Sequence, residues 1–225
     1  GTNAAVLHAI EQMTGRVQIF RDNRFEMARP LAPITVRYPG LPSFEGCIFG
    51  HPEAVTFPHN YPKLRVSLNL AHGGGIDSWL LKTIMRLVDW RLISKVRAAN
   101  FLTWFEKTID VSAQVNGPEA PPVMYGLAIG AKDGRPASVG VSFIDPATQA
   151  AEANEIGMGA ITGIPLACGV KFLIDGQLKE TGVFSPEAGH INPKLFLEEV
   201  LVQLGHLTHL SSIAFEDNIK ISCSW

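Results

Sequence analysis

The residues best suited to chemistry in this 225-residue chain lie in three short stretches. The first is His72-Gly73-Gly74-Gly75, which follows an alternating apolar stretch and precedes a helical one. Consecutive glycines let backbone N–H groups converge on an anion, and a histidine at the end of a strand would lie beside that anion. We therefore predict that His72, Gly73 and Gly74 bind a substrate carboxylate. The alternative is a strand-to-helix turn that needs only the torsional freedom of glycine.

The same His-Gly-Gly-Gly string is also typical of the oxyanion loop of lipases and esterases. Such hydrolases require a Gly-x-Ser-x-Gly turn for their nucleophile as well. The nearest stretch, Gly140 to Ile144, contains Ser142 but lacks the second glycine. A hydrolase would lose ester cleavage on Ser142→Ala, and we expect no cleavage by the unaltered chain.

The second stretch, Thr162-Gly163-Ile-Pro165, lies in a run of small residues between Gly157 and Gly169. Proline lacks an N–H, so a helix must kink or restart at Pro165. A restart would leave N–H groups near Thr162 and Gly163 available to an anion. We predict that these two residues bind a carboxylated substrate. The alternative is a packing helix whose small residues meet another domain.

The third stretch, Gly50-His51-Pro52-Glu53, places an imidazole and a carboxylate two residues apart. We expect it to form a kinked strand. A His–Glu pair could transfer protons, although we favour a structural role for a histidine next to a proline.

Two other sets of side chains could bind ligands. Four arginines have the guanidinium fork that suits carboxylates: Arg37, Arg65, Arg91 and Arg97. The pattern does not rank them, and we expect most to be solvated. His206 and His209 have a helical metal-ligand spacing, but no third ligand accompanies them, so we predict no metal site.

Hydrophobic periodicity predicts the elements that must position these residues. Helices are expected at 3–13, 79–96, 97–105, from Asp145 to Asp175 and after the Asn192-Pro193 cap. Strands are expected at 16–21, 33–38, 47–57, 64–70, 123–131 and 137–144, with a hairpin turn at Asp133-Gly134, and more weakly at 213–215 and 219–223. Strand hairpins followed by helices predict an α+β fold with a mixed, mostly antiparallel sheet and helices on one face.

Composition argues against several classes of function. The net charge is −2 and no basic stripe is present, which argues against a nucleic-acid surface. Charges interrupt every apolar run before the roughly 20 residues of a membrane span. The three cysteines, Cys47, Cys168 and Cys223, are far apart, which predicts reduced thiols and a cytoplasmic protein.

A dinucleotide-binding fingerprint is absent from the sequence. The closest stretch, Gly157 to Gly163, has one residue too many and follows a polar segment instead of a strand. We therefore expect this chain by itself to bind no NAD(P).

Several short motifs resemble those of the saccharopine dehydrogenase family. The C-terminal part of the chain carries Met158-Gly159, Thr162-Gly163-Ile164-Pro165, Asp175-Gly176, Gly182-Val183 and Pro186-Glu187. The N-terminal part carries Gly1-Thr2-Asn3-Ala4, and then Gly50-His51-Pro52-Glu53 with Thr56 and Pro58. Together they span nearly the whole chain, and each of them is short.

This resemblance implies that residues 1–225 form the C-terminal, substrate-binding and homodimerisation domain of an NAD(P)-dependent oxidoreductase. Such an enzyme acts on a carbon–nitrogen bond of a carboxylated amino acid. The N-terminal nucleotide-binding domain would be missing from the chain, so NAD(P) would be bound only by the full-length enzyme. The alternative is a non-catalytic binding or assembly module with the same fold.

Overall fold

The computed structural model describes residues 4–72, 79–108, 121–122, 124–143, 162–206 and 214–225. Its helices are α1 (Ala4–Gln12), α2 (Glu53–Asn60), α3 (Trp79–Asp89), α4 (Lys95–Thr108), α5 (162–174), α6 (Pro193–Gly205) and α7 (Phe215–Asn218), with a 3-10 turn at Pro186–Ala188. Its strands are β1 (Val17–Arg21), β2 (Arg24–Ala28), β3 (Pro33–Val36), β4 (Phe44–Phe49), β5 (Val66–Ser67), β6 (Asn69–Ala71), β7 (Tyr125–Lys132), β8 (Arg135–Phe143) and β9 (Ile219–Ser224). The predicted α+β class is confirmed. None of the described helices is both long and apolar enough to cross a membrane.

The described strands form three small sheets, with strand orders β2-β1-β5, β3-β4-β6 and β7-β8-β9. Every pairing among them is antiparallel. The chain divides into two compact units, the first comprising Gly1–Arg37 with Ser43–Pro118 and the second Tyr38–Pro42 with Glu119–Trp225. The first unit contains the first two sheets, and the second unit contains the third.

Two tight turns close hairpins in which both turn residues have positive φ. The predicted turn, Asp133-Gly134, has φ values of 52° and 77° and joins β7 to β8. Asp22-Asn23, with 51° and 62°, joins β1 to β2, a hairpin that the sequence did not reveal. Two-residue turns of this kind match the twist of antiparallel strands, and Asp and Asn tolerate this conformation better than most residues.

The predicted strand at 64–70 is divided between two sheets. Ser67 pairs with Phe20 in β1, whereas Asn69 pairs with Phe49 in β4. Leu68 lies between them and packs against the apolar cluster that joins both sheets. The alternating pattern therefore predicts the extended backbone correctly, but one segment serves two sheets.

The predicted helix at 79–96 ends earlier, because α3 stops at Asp89. The Leu92 N–H binds the Leu87 carbonyl and the Arg91 N–H binds the Val88 carbonyl, each at 2.9 Å. Those two bonds form a Schellman C-terminus. Leu92, which extends the apolar pattern in sequence, is 66% exposed.

The core of the first unit lies between α1, α3 and α4. Ile10 and Ala99 are completely buried, and Met85 is 2% exposed. Burying one large aliphatic side chain stabilises a fold by roughly 1.5–3 kcal/mol, so this cluster fixes the three helices relative to one another.

In the second unit, α5 packs on α6 through Phe172 and Phe196, whose ring centroids are 5.6 Å apart. The predicted Asn192 cap of α6 is confirmed, because its Oδ1 accepts hydrogen bonds from the N–H groups of Lys194 and Leu195 at 3.0 and 3.3 Å. The prediction of a strand at 213–215 is wrong at Phe215, which begins α7. β9 pairs with β8 instead.

Candidate functional site

The Gly50-His51-Pro52-Glu53 stretch lies at a strand-to-helix junction. β4 ends at Phe49 and α2 begins at Glu53, so the prediction of a kinked strand through residue 57 is wrong. Gly50 is required there, because a Cβ atom would lie 2.5 Å from Val17 and 2.7 Å from Gln12. The Gly50 N–H donates to the Gln12 carbonyl at 3.0 Å, which fixes the start of the stretch against α1.

His51 and Glu53 do interact. Nδ1 of His51 contacts Oε2 of Glu53, and the two side chains are 41% and 42% exposed. The same Oε2 accepts a hydrogen bond from Nδ2 of Asn69 at 3.2 Å. The carboxylate is thereby held between a strand side chain and the imidazole.

This arrangement fixes the orientation of the His51 ring. Because Glu53 occupies Nδ1, Nε2 is the nitrogen through which His51 can exchange a proton with solvent or a ligand. The ring of His8 lies 6.5 Å away, edge on. The geometry is that of an oriented, accessible imidazole suited to general acid–base chemistry.

Asn69 is the member of this group that sequence analysis missed. Its Oδ1 accepts the Ala54 N–H at 2.9 Å, and neighbouring Ser67 donates to the Glu53 carbonyl at 3.2 Å. The one sequence feature that indicated a polar face on this strand is the alternation of Ser67 and Asn69 with apolar residues.

Of the predicted His-Gly-Gly-Gly site, the structure describes His72. It directly follows β6 and is half-buried, with its ring centroid 5.4 Å from that of Phe44. The predicted site residues Gly73 and Gly74 lie outside the described residues. His72 belongs to the first unit.

Thr162 and Gly163 are the first two described residues of α5, and both are exposed. Among the described residues, no atom comes within 4 Å of a Cβ placed at Gly163. Pro165 lies in the same helical turn, and it has no N–H to donate. Both residues belong to the second unit.

Four apolar side chains follow Gly163 along one face of α5, and we call them the α5 stripe: Leu166, Val170, Leu173 and Ile174. They are 72%, 48%, 53% and 79% exposed, respectively. Their spacing places them on one side of a helix. The α5 stripe therefore presents an apolar strip to solvent.

Away from the α5 stripe, helix α5 carries one buried cysteine and one ion-paired lysine. Cys168 is 2% exposed, and its pKa is raised, first because burial disfavours the thiolate and second because Glu199 is nearby. Lys171 binds Asp175 at 2.9 Å and Glu199 at 3.5 Å. The hydrogen bond to Asp175 is the main reason that the pKa of Lys171 is raised.

Each unit also contains an open cleft. The cleft in the first unit has a volume of about 560 Å³ and is lined by Arg16, Arg91 and Lys95 among others. The cleft in the second unit, of about 650 Å³, lies beside α5 and α6 and is lined by Phe172, Leu195 and Glu198 among others. Of the four arginines considered from sequence, Arg91 lines the first cleft.

Within the described part of the chain, no group of three or more His, Cys, Asp or Glu side chains could hold a metal ion. His209, one of the two histidines weighed for metal, lies outside that part. No protein-family model and no curated protein matches the sequence.

Proposed function

We propose that the chain is the substrate-binding and dimerisation domain of an NAD(P)-dependent oxidoreductase that resembles saccharopine dehydrogenases and acts on a carbon–nitrogen bond of a carboxylated amino acid. The single observation that carries this proposal is the position of Thr162 and Gly163. They lie exposed at the head of the α5 stripe, where a substrate could be enclosed by a second domain.

The α5 stripe supports a docked domain. Each of its larger side chains would contribute roughly 1.5–3 kcal/mol if it were fully buried. We assign its occupant as a nucleotide-binding domain, because the resemblance to saccharopine dehydrogenases implies one. NAD(P) would be held by that domain, and the substrate would lie between it and Thr162.

In this reaction an amine is oxidised to an imine. The substrate carbon would lose a hydride and its nitrogen a proton, and water would then convert the imine into a 2-oxo acid and a free amine. The cofactor supplies the hydride chemistry.

The homodimer in this proposal is supported by the β7–β8–β9 sheet. Val141 and Ile221 pair across β8 and β9 on one face of this sheet, and they are 37% and 58% exposed. The cytoplasmic location is supported by Cys47, Cys168 and Cys223, which are free thiols in the structure.

The test is an assay of the native protein from its own cells at 340 nm, with NAD+ or NADP+ and a panel of carboxylated secondary amines. Thr162→Val replaces the hydroxyl with a methyl group and keeps the shape of the side chain. A hydrogen bond to a charged group contributes about 1.5–3 kcal/mol, so KM should rise about tenfold or more. Thr181→Val, at an exposed threonine outside the motif, is the matched control.

Leu166→Glu should break domain docking and reduce turnover, whereas Val183→Glu, at a side chain that is fully exposed and outside the helix, should not. A native protein that dimerises, binds carboxylated amines and reduces neither cofactor would reject the oxidoreductase. That result would instead support a non-catalytic binding module with this fold.

A further inference from the structure

The cleft in the first unit gathers positive charge from three segments of the chain. It lies where the C-terminal ends of α1 and α3 meet the start of α4. Arg16, Arg91 and Lys95 line it, together with the carboxylates of Glu11 and Asp89. The cleft therefore contains one more positive than negative side chain, in a volume of about 560 Å³.

Both carboxylates are already engaged by the protein. Glu11 pairs with Lys95 at 3.2 Å, and Asp89 accepts the Gly15 N–H at 2.7 Å. Arg16 donates to the Met27 carbonyl at 3.2 Å, which orients its guanidinium. Among the described residues, no carboxylate pairs with Arg91.

Arg91 occupies a backbone position that favours glycine. Its φ of 59° is left-handed, and it is the residue after the C-cap in the Schellman turn of α3, where glycine is the usual choice. A side chain there costs stability, so the arginine is better explained by what its guanidinium does than by the turn.

The start of helix α4 lies in the same cleft. It has no acidic residue in its first turn but has Lys95, paired with Glu11, and Arg97, although the positive end of a helix favours negative groups. A bound oxyanion would add negative charge at this helix start, and guanidinium groups would hold it by charge-assisted hydrogen bonds.

We propose that this cleft binds a small oxyanion of charge −2, a phosphate group or a dicarboxylate, through Arg91, Arg16 and Lys95. The site does not depend on the proposed oxidoreductase activity, and neither Thr162 nor Gly163 lines it. Binding requires neither NAD(P) nor a substrate amine.

The experiment is a titration of the 225-residue chain with inorganic phosphate and, separately, with succinate, at constant ionic strength. Amide NMR signals report the site directly, and we expect saturable shifts at Gly15, Ser94 and Lys95. Tighter binding of phosphate would identify the ligand as a phosphate group, and tighter binding of succinate would identify it as a dicarboxylate.

Arg91→Gly separates binding from folding. It should lower the affinity for the tighter-binding anion by about tenfold or more, because one charge-assisted contact is lost. It should also raise the melting temperature by about 2–4 °C, because it relieves the left-handed backbone. Asn23→Gly makes the same backbone change at φ 62° outside the cleft, and it should leave anion binding unchanged.

A charge control is Arg24→Gln, at an exposed arginine outside the cleft, which should also leave anion binding unchanged. The proposal is overturned if neither anion gives saturable shifts, or if Arg91→Gly and Arg24→Gln weaken binding equally. The second result would mean that net charge alone attracts the anion.

Discussion

Asn69 in β6 caps helix α2 from outside the helix, since its Oδ1 accepts the Ala54 N–H at 2.9 Å. The residue that precedes the helix, Pro52, has no side chain that could do so. The other end of the Asn69 amide donates to Glu53. One strand side chain thus fixes both the start of α2 and the carboxylate that orients His51.

Asn69→Ala should lower the free energy of unfolding by about 1–2 kcal/mol, because the cap and the contact with Glu53 are both lost. Chemical denaturation measures this change. Thr83→Ala removes an exposed bond within one helix, from Oγ1 to the Trp79 carbonyl, and should change stability by less than about 0.5 kcal/mol. Equal effects of the two substitutions would contradict the external cap.

Gly140→Ala should destabilise the second unit by about 1–3 kcal/mol, since overpacking forces neighbours to move. The new Cβ would lie 2.4 Å from Cζ of Tyr38, which is only 4% exposed. The melting temperature of the variant gives the effect. Gly130→Ala in β7, where a Cβ would meet nothing within 4 Å, is the matched control.

A double variant checks the cause of that loss. If the added methyl group meets the Tyr38 ring, Tyr38→Leu should recover part of the stability lost in Gly140→Ala. Strictly additive losses would show that the two positions do not interact.

The Lys194–Glu216 pair predicts a defined pH dependence of stability. Its 2.7 Å contact joins α6 to α7. The hydrogen bond from Lys194 lowers the pKa of Glu216 below 4.5, so this contribution is present above that value and is lost as pH falls through the lowered pKa. The pKa of Lys194 is raised above 10.5, mainly by the hydrogen bond to Glu216, so the same contribution is lost as pH rises through the raised pKa.

Glu216→Gln should therefore reduce the loss of stability between neutral pH and acid. Urea midpoints measured across pH test this, and high salt should weaken the effect because both groups are exposed. Asp217→Gln, at the next position of the same helix, is the control. If Glu216→Gln leaves the loss of stability between neutral and acidic pH unchanged, the Lys194–Glu216 pair does not contribute to that loss.

Cysteine labelling should follow burial. Cys223 is exposed, whereas Cys47 and Cys168 are buried, and burial raises the pKa of the Cys168 thiol, which disfavours the reactive thiolate. Iodoacetamide should label Cys223 first in the native chain, and mass spectrometry locates the label. Rapid labelling of Cys168 without denaturant would show that α5 is not packed as described.

The sequence predicts those elements whose signal is local. The Asn192-Pro193 cap and the Asp133-Gly134 turn each contain the side chains that stabilise them, so both were found at the correct residues. The start of α2 could not be predicted in this way, because its cap comes from Asn69, which lies 15 residues away along the chain. Without that partner, the apolar residues after Glu53 indicate a strand.

The candidate site shows the same division. The His51–Glu53 pair is visible in sequence because its members are two residues apart. The cleft formed by Arg16, Arg91 and Lys95 is not, since it depends on where three helix ends meet. Trp90 and Leu92 continue the apolar pattern past Asp89. For this reason the sequence did not predict the end of α3 or the position of Arg91 in the turn after it.

The most direct test of the proposed function is a titration of NADH and NADPH fluorescence with two samples measured side by side. One is the 225-residue chain, and the other is the intact native protein isolated from its own cells. We predict saturable binding by the native protein and none by the 225-residue chain, since the cofactor would belong to a separate nucleotide-binding domain. Tight binding by the 225-residue chain, or none by the native protein, would contradict the proposal.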